Sequence, residues 1–521
     1  MDNKIYETWK VLRNYIGKLD AKDALEVLRY YSLSNAKGIN NPPPPPPDYI
    51  EVHPSIFQNN NGIYPWDIET LAREVILSSD DSPHGNKSLR DWSTFSKAMN
   101  MLKLVDSTIS ETRISQANIR KEIFRLQHRQ FRHQTDRLDK SVIVRYYKLF
   151  SHEDVLPIYE SKIGMIPSKI LTLGITLWST YMQNAGLTRP TEDLVLIGIT
   201  LAEFDKFMEN FSLPFRDIKS IITSNHLVDD TFFYQYNPLT AKPIVYFDRL
   251  GEQSFVCPSP NLLQLRMTRG LYYELFNEDH FDNAFGASFE QYVGEVANAT
   301  LKGTNNLVYG EEGDPSENKK RCDWIIDQED CFTIVECKTK RLAIDAYTLL
   351  DNTEKLTKQL DILADAVVQA YQSLKIYQSI GYTPPVYPYN DFKKKSVCVV
   401  TLEKWYINGD QLNELRGIVR SKLTNKGIDL EILDTVPYAV MGVDEFEKLI
   451  FLAKKYSIYD MIEPHNIANN ETSSWEFSVH LNRQHNESLQ EYSYVFGNEM
   501  DASFTIEARH AFDAAEDNSS Q

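Results

Sequence analysis

The stretch Arg321 to Lys340, RCDWIIDQEDCFTIVECKTK, sets Asp323, Glu336 and Lys338 into what otherwise reads as two apolar strands of a hairpin. Charged side chains are rarely buried unless paired or bound to metal. Three of them converging in one sheet require either a strained core or a working site. A turn centred on Gln328–Glu329 would pair Ile326 with Cys331 and set Asp323 opposite Ile334. Directly opposed residues share a face and strand side chains alternate, so Ile334, Glu336 and Lys338 point the same way as Asp323. Asp323 and Glu336 become diagonal neighbours, roughly 7–8 Å apart at the backbone. A slip of one residue would part them to opposite faces.

Two carboxylates reaching inward from that separation can hold one hard divalent cation. Mg²⁺ is the expected ion, with Mn²⁺ as a substitute, because carboxylate and water oxygens suit both. Such a metal polarises a phosphate and activates a bound water. Lys338 can orient that water or neutralise charge on the phosphate. Cys337 faces the other way and reads as core packing. The competing reading is structural: an ion pair between Glu336 and Lys338, with Asp323 as a turn-flanking acid. An acid-x-Lys triplet is common, and the chain holds another, Glu317-Asn318-Lys319, in a polar loop after a proline. Only Glu336-Cys337-Lys338 ends an apolar strand with an Asp on the strand before it.

The surroundings read as a helix over GASFEQYVGEVANATL (Gly286 to Leu301), with Phe289, Val293, Val296 and Ala297 on one face. LVYG (Leu307 to Gly310) is a short strand, followed by the hairpin. A long helix runs from about Thr353 to Ile380, and SVCVVTL (Ser396 to Leu402) is another strand. This order resembles the core of the PD-(D/E)xK, or restriction-endonuclease-like, nuclease superfamily. The resemblance covers Gly286 to Leu402, with looser support to about Tyr456. It implies an α/β domain, a mixed sheet flanked by helices, behind a mainly α-helical N-terminal region. Asp323 matches the family's first acid, and Glu336 with Lys338 matches its ExK. Glu290 matches the acid of the leading helix that often helps hold metal or water, with Glu295 as the fallback. The departures are Cys322 where Pro often precedes the Asp, and Cys337 between Glu and Lys. Gln372, with Gln369 nearby, falls where some members place a Gln near the substrate; a solvated helix face is the alternative. Lys319, Lys320, Arg321, Lys340 and Arg341 flank the strand ends, where local attraction for phosphate would be needed.

The implied activity is a Mg²⁺-dependent endonuclease that hydrolyses phosphodiester bonds, with DNA the expected substrate and RNA the alternative, since the metal chemistry is the same for both. The segment from Asn237 through Pro260 into the Phe285–Val293 helix also resembles bacterial nucleases of restriction and anti-phage defence. Rival readings are a non-catalytic sensor or assembly subunit that keeps the fold, and an RNA or tRNA nuclease. A protein partner at the N-terminal half and a homo-oligomer are both compatible with the resemblance.

Residues 1–235 read as a mainly helical region, 236–460 as the nuclease-like domain with core 286–402, and 461–521 as an extension with an acidic, disordered end. Ile5, Trp9, Leu12, Ile16 and Leu19 recur at helical spacing, so the N-terminus reads as an amphipathic helix and not a signal peptide. Pro42 to Pro47 forms either a stiff spacer or a docking ligand for an aromatic groove, roughly 19 Å long at about 3.1 Å per residue. The segment Asn118 to Arg137 is a basic helix in which Lys121, Arg125, Arg129 and Arg132 share a face. That face either tracks a phosphate backbone, is solvated, or pairs with the chain's own acids. PIVYFD (Pro243 to Asp248) and SFVCP (Ser254 to Pro258) read as a strand pair around Gly251, and Ser259–Pro260 as a helix start.

The apolar runs Ile170 to Trp178 and Leu194 to Ala202 are too short for a bilayer and read as buried helices. A membrane is not expected as a partner. The net charge of −18 argues against indiscriminate phosphate binding. Five cysteines without CxxC spacing point to core thiols in a reducing cytoplasm. No GxxxxGK[ST], HExxH or GxSxG occurs, so the chain shows no signature of an ATP motor, a zinc protease or a serine hydrolase.

Overall fold

A computed structural model describes residues 3–34, 63–81, 87–133, 139–249, 251–310, 322–350, 353–380, 392–467 and 473–498. The Pro42–Pro47 run, the Glu317-Asn318-Lys319 triplet, Lys319 to Arg321 and the acidic end lie outside the described residues. Two compact units emerge, divided between Phe281 and Asp282; residues up to Gly497 belong to the second. The sequence placed a boundary near 235, whereas the strand pair after it belongs to the first unit. No helix of the described residues is long and apolar enough to cross a membrane.

The first unit is mainly helical: α1 (Asn3–Ile16), α2 (Ala21–Ser34), α3 (Pro65–Ser78), α4 (Trp92–Arg113), α5 (Ile119–Gln130), α6 (Lys140–Phe150), α7 (Leu156–Ile163), α8 (Pro167–Gln183), α9 (Leu201–Phe211), α10 (Phe215–Asn225) and α11 (Pro260–Met267). As its spacing predicts, α1 buries Ile5, Trp9, Leu12 and Ile16. A small sheet joins β1 (Ser212–Pro214), parallel to β2 (Ile244–Arg249), which pairs antiparallel with β3 (Glu252–Val256). Gly251 turns that hairpin at φ 83°, a conformation that favours glycine.

Helix α3 is the unusual element, because its buried residues include Asp67, Glu69, Arg73 and Glu74. Each carboxylate meets a partner from elsewhere in the chain. Glu74 accepts from Trp9 Nε1 at 2.9 Å, pairs with Arg73 at 2.8 Å and lies 3.1 Å from His226 Nε2. Glu69 accepts from Ser259 Oγ at 3.3 Å. Asp67 accepts from Arg129 Nη2 at 3.0 Å.

Those partners settle the basic helix. Arg125 and Arg129 of α5 are buried, so of the three readings of this face the one that pairs it with the chain's own acids holds for these two arginines. Arg125 donates to Glu122 and to the Asp230 carbonyl, and its guanidinium lies 4.0 Å from the Tyr234 ring centroid. Ile119 and Ile123 are exposed instead. Buried carboxylates and aromatic faces attract a guanidinium more strongly than solvent rewards its exposure.

The run Ile170 to Trp178 lies in buried α8, as expected. The run Leu194 to Ala202 does not form a buried helix. It folds back between Leu194 and Ile199, with Gly198 at φ 64° and both Val195 and Leu196 81% exposed. The physical reason is a capping box, Thr200 with Glu203, which starts α9 at Leu201 and cuts the apolar run in two.

The second unit opens with α12 (Phe281–Leu301) and holds a five-stranded sheet in the order β4-β5-β6-β7-β8. Its strands are β4 (Leu307–Gly310), β5 (Trp324–Asp327), β6 (Cys331–Lys338), β7 (Lys394–Thr401) and β8 (Tyr438–Gly442). The first three form an antiparallel meander, and β6, β7 and β8 are parallel. Parallel pairing requires crossovers, supplied by α13 (Thr353–Ile380) and α14 (Gly409–Asn425). Ile325, Phe332, Ile334, Val397 and Val399 pack with both helices in one core. This is a mixed helix–sheet unit with an α/β layout.

Candidate functional site

The hairpin turns one step later than the sequence suggested. Gln328 N–H donates to the Cys331 carbonyl at 2.8 Å, centring the turn on Glu329–Asp330. Its side chain explains why: Nε2 donates to the carbonyls of Ala453 and Tyr456, and Oε1 accepts from Ile458 N–H. Ile325 therefore faces Ile334 and Trp324 faces Val335. The register moves by two residues, an even number, so every side chain keeps its expected face. Continued one step beyond β5, it sets Asp323 directly opposite Glu336 rather than diagonal to it.

Asp323 is half-buried, and its Oδ2 accepts from Cys337 N–H at 2.6 Å. The carboxylate thus takes up the β6 ladder where β5 ends. Glu336 is fully buried, and Lys338 Nζ donates to its Oε1 at 2.7 Å. Lys338 stays partly open to solvent and also lies 3.5 Å from Gln369 Oε1 on α13. These three residues meet on the face that carries α13.

Glu290 comes to the same end of the hairpin from the other face. Its carbonyl accepts from Trp324 Nε1 at 2.8 Å. The indole fits only because α12 and β4 offer glycines to it: a Cβ on Gly294 would sit 2.0 Å from the ring, and one on Gly310 2.9 Å. Gly294→Ala is accordingly expected to lower stability by about 1–3 kcal/mol, the usual cost of overpacking, read as a lower urea midpoint. An unchanged midpoint would mean that α12 is not held by this contact. Glu295, the fallback, instead accepts from Gln291 Nε2 at 2.9 Å.

Electrostatics tie the group together. The Cys337 thiol is pushed well above its ordinary value, first by burial and then by the carboxylates of Asp323, Glu290 and Glu336, with Lys338 opposing. The Cys322 thiol is likewise raised, chiefly by burial. All five cysteines are free, and all but half-buried Cys337 are buried, as core thiols would be.

The flanking basic residues divide. Lys340 is exposed, while Arg341 is buried with Nη1 3.6 Å from Glu403 Oε1, so its charge is answered within the protein. Gln372 is exposed, and Gln369 is the glutamine that reaches the lysine. The signal was present in the helix: three before and four after Gln369 stand small, buried Ala366 and Ser373. Seven before and three after Gln372 stand exposed Asp365 and Lys375. Trp324 carried no signal beyond its aromatic bulk.

Among the described residues, no group of three or more His, Cys, Asp or Glu side chains is arranged to hold a metal ion. The hairpin offers two carboxylates, a hard-oxygen donor set of the kind Mg²⁺ takes when water fills its remaining positions. Comparison with family models, with curated proteins and with solved structures finds no match to this chain.

Proposed function

We propose that the second unit is a metal-dependent nuclease of the restriction-endonuclease-like kind, cutting phosphodiester bonds, with DNA the preferred substrate. The observation that carries this reading is the placement of Asp323 opposite Glu336, with Lys338 Nζ 2.7 Å from the glutamate. A soluble fold has no packing reason to keep a fully buried carboxylate at a strand end beside a second acid. Asp323 and Glu336 would hold Mg²⁺, which supplies Lewis acidity toward a phosphodiester and a water molecule when bound. Lys338 presents its ammonium group on the same face, where it can donate to the attacking water or to a phosphate oxygen gathering charge. Gln369 limits the lysine's rotation from the α13 side. Glu290 adds negative charge from the opposite face.

The expected assay result is cleavage of double-stranded DNA with Mg²⁺ or Mn²⁺, none with EDTA, and loss of cutting in Lys338→Ala. Parallel single-stranded DNA and RNA substrates name the substrate class. Cutting that survives both EDTA and the substitution would end the proposal.

The Glu336–Lys338 ion pair itself favours a second reading, a non-catalytic subunit in which the pair is structural. Addition of Mg²⁺ separates the two. A nuclease site predicts a thermal stabilisation that Asp323→Ala removes, and a structural pair predicts none.

A further inference from the structure

The first unit contains a cavity of about 470 Å³, broadly open to solvent, that the nuclease reading does not use. Three helices build it. From α4 come Lys103, Asp106, Ser107 and Ser110, a polar stripe at the spacing of one helical face. From α5 come Leu126, Arg129 and Gln130. Tyr64, Trp66 and Asp67 close it from the start of α3. The Tyr64 and Trp66 rings stack 4.6 Å apart with planes 7° from parallel, making a flat aromatic element. Lys103 Nζ lies 5.3 Å from the Tyr64 centroid.

Arg129 is 7% exposed and sits between two carboxylates, 3.0 Å from Asp67 and 3.8 Å from Asp106. Its buried Nε–H has no hydrogen-bond partner among the described residues. That atom is closed to solvent, so the guanidinium serves to hold the two carboxylates at the cavity wall.

We propose that this cavity binds a nucleoside-class small molecule, its base packing against the Tyr64–Trp66 rings and its amino edge donating to Asp67 and Asp106. The volume suits one such molecule. The lining excludes the simpler alternatives. Two carboxylates disfavour a bare anion, an aromatic element is superfluous to a bare amine, and the charged stripe disfavours a purely apolar guest. A nucleobase combines a flat π face with donors and acceptors along one edge. Burial pushes the Asp67 carboxyl up to about 6 and raises that of Asp106, and although Arg129 donates to both, each carboxylate has a second oxygen that can accept from a base edge. Lys103 remains for base carbonyl or ribose oxygens.

The test is calorimetric titration of the full chain with adenosine, guanosine, cytidine and uridine, and separately with their 5′-monophosphates. At least one nucleoside is expected to bind. Trp66→Ala and Asp106→Asn are each expected to weaken it by about ten-fold, one good contact's worth. Both sites are partly open to solvent, and an unchanged circular dichroism spectrum confirms that the variants fold. No binding in either series would overturn the proposal, as would binding that both substitutions leave untouched. Binding of monophosphates alone, abolished by Lys103→Ala, would show a phosphate site in place of a base site and would equally overturn it.

Discussion

Glu336→Gln is expected to lower Mg²⁺-dependent cleavage by about a thousand-fold, the scale on which one lost electrostatic contact to a transition state is felt. The substitution keeps side-chain volume and removes only the charge. Stability should not fall with it. Glu336 is fully buried while Lys338 reaches solvent, so removing the buried charge relieves a desolvation penalty and leaves the lysine free to turn outward. A melting temperature equal to or above that of the wild type, by up to about 4 °C for a unit of this size, is therefore expected alongside the loss of rate. Activity and stability moving in opposite directions is the signature of a site kept for function. Initial rates and thermal melts on one preparation decide it. A melting temperature that drops by several degrees would make the Glu336–Lys338 pair a structural element.

In the first unit the largest expected loss of stability follows removal of Glu74. Burial pushes its carboxyl upward, but Arg73, His226 and Trp9 together hold it down to about 2. Glu74→Ala strands buried Arg73 beside apolar neighbours and is expected to cost about 3–5 kcal/mol. The same group predicts an acid limb. A depressed carboxyl contributes stability that is fully present above its unfolded value near 4.5 and is lost as pH falls through 2. The contribution is on the order of 3 kcal/mol. Asp67 works in the opposite sense. Burial holds its carboxyl at about 6, so its contribution is full below the ordinary carboxylate range and is lost as pH rises through that value. Urea unfolding of wild type and Glu74→Gln at about pH 3, 5 and 7 tests the balance. The two proteins should converge toward the acid end, and a gap that stays constant with pH would refute the assignment.

The hairpin shows what a sequence can reveal and where it stops. Which residues share a face depends only on parity, and alternation alone aligned Asp323, Glu336 and Lys338. The position of the turn depends on Gln328 being held by Ala453, Tyr456 and Ile458, more than a hundred residues downstream. The long helix to Ile380 was legible because its apolar residues repeat over many turns. The inward rotation of Arg125 and Arg129 was one of three readings left open, because only Glu122 of their acidic partners lies on the same helix and Asp67 and Asp106 belong to other segments. Val195 and Leu196 misled through hydrophobicity, although the capping residues Thr200 and Glu203 stood beside them. The docking of Trp324 onto α12 depends on two glycines far apart in sequence, Gly294 and Gly310.

Helix α3 works like a key with several teeth. Only one rotation of it brings Asp67 to Arg129, Glu69 to Ser259, and Glu74 to both Trp9 and His226. Those partners come from the N-terminal helix, from α5, from the end of α10 and from the start of α11. A purely apolar helix could slide or turn in its socket at little cost, whereas a misaligned α3 would leave carboxylates buried without donors. The first unit is in this sense indivisible. Trimming the chain to remove α1, or dividing it before His226, takes away a tooth's socket and leaves a charge behind it.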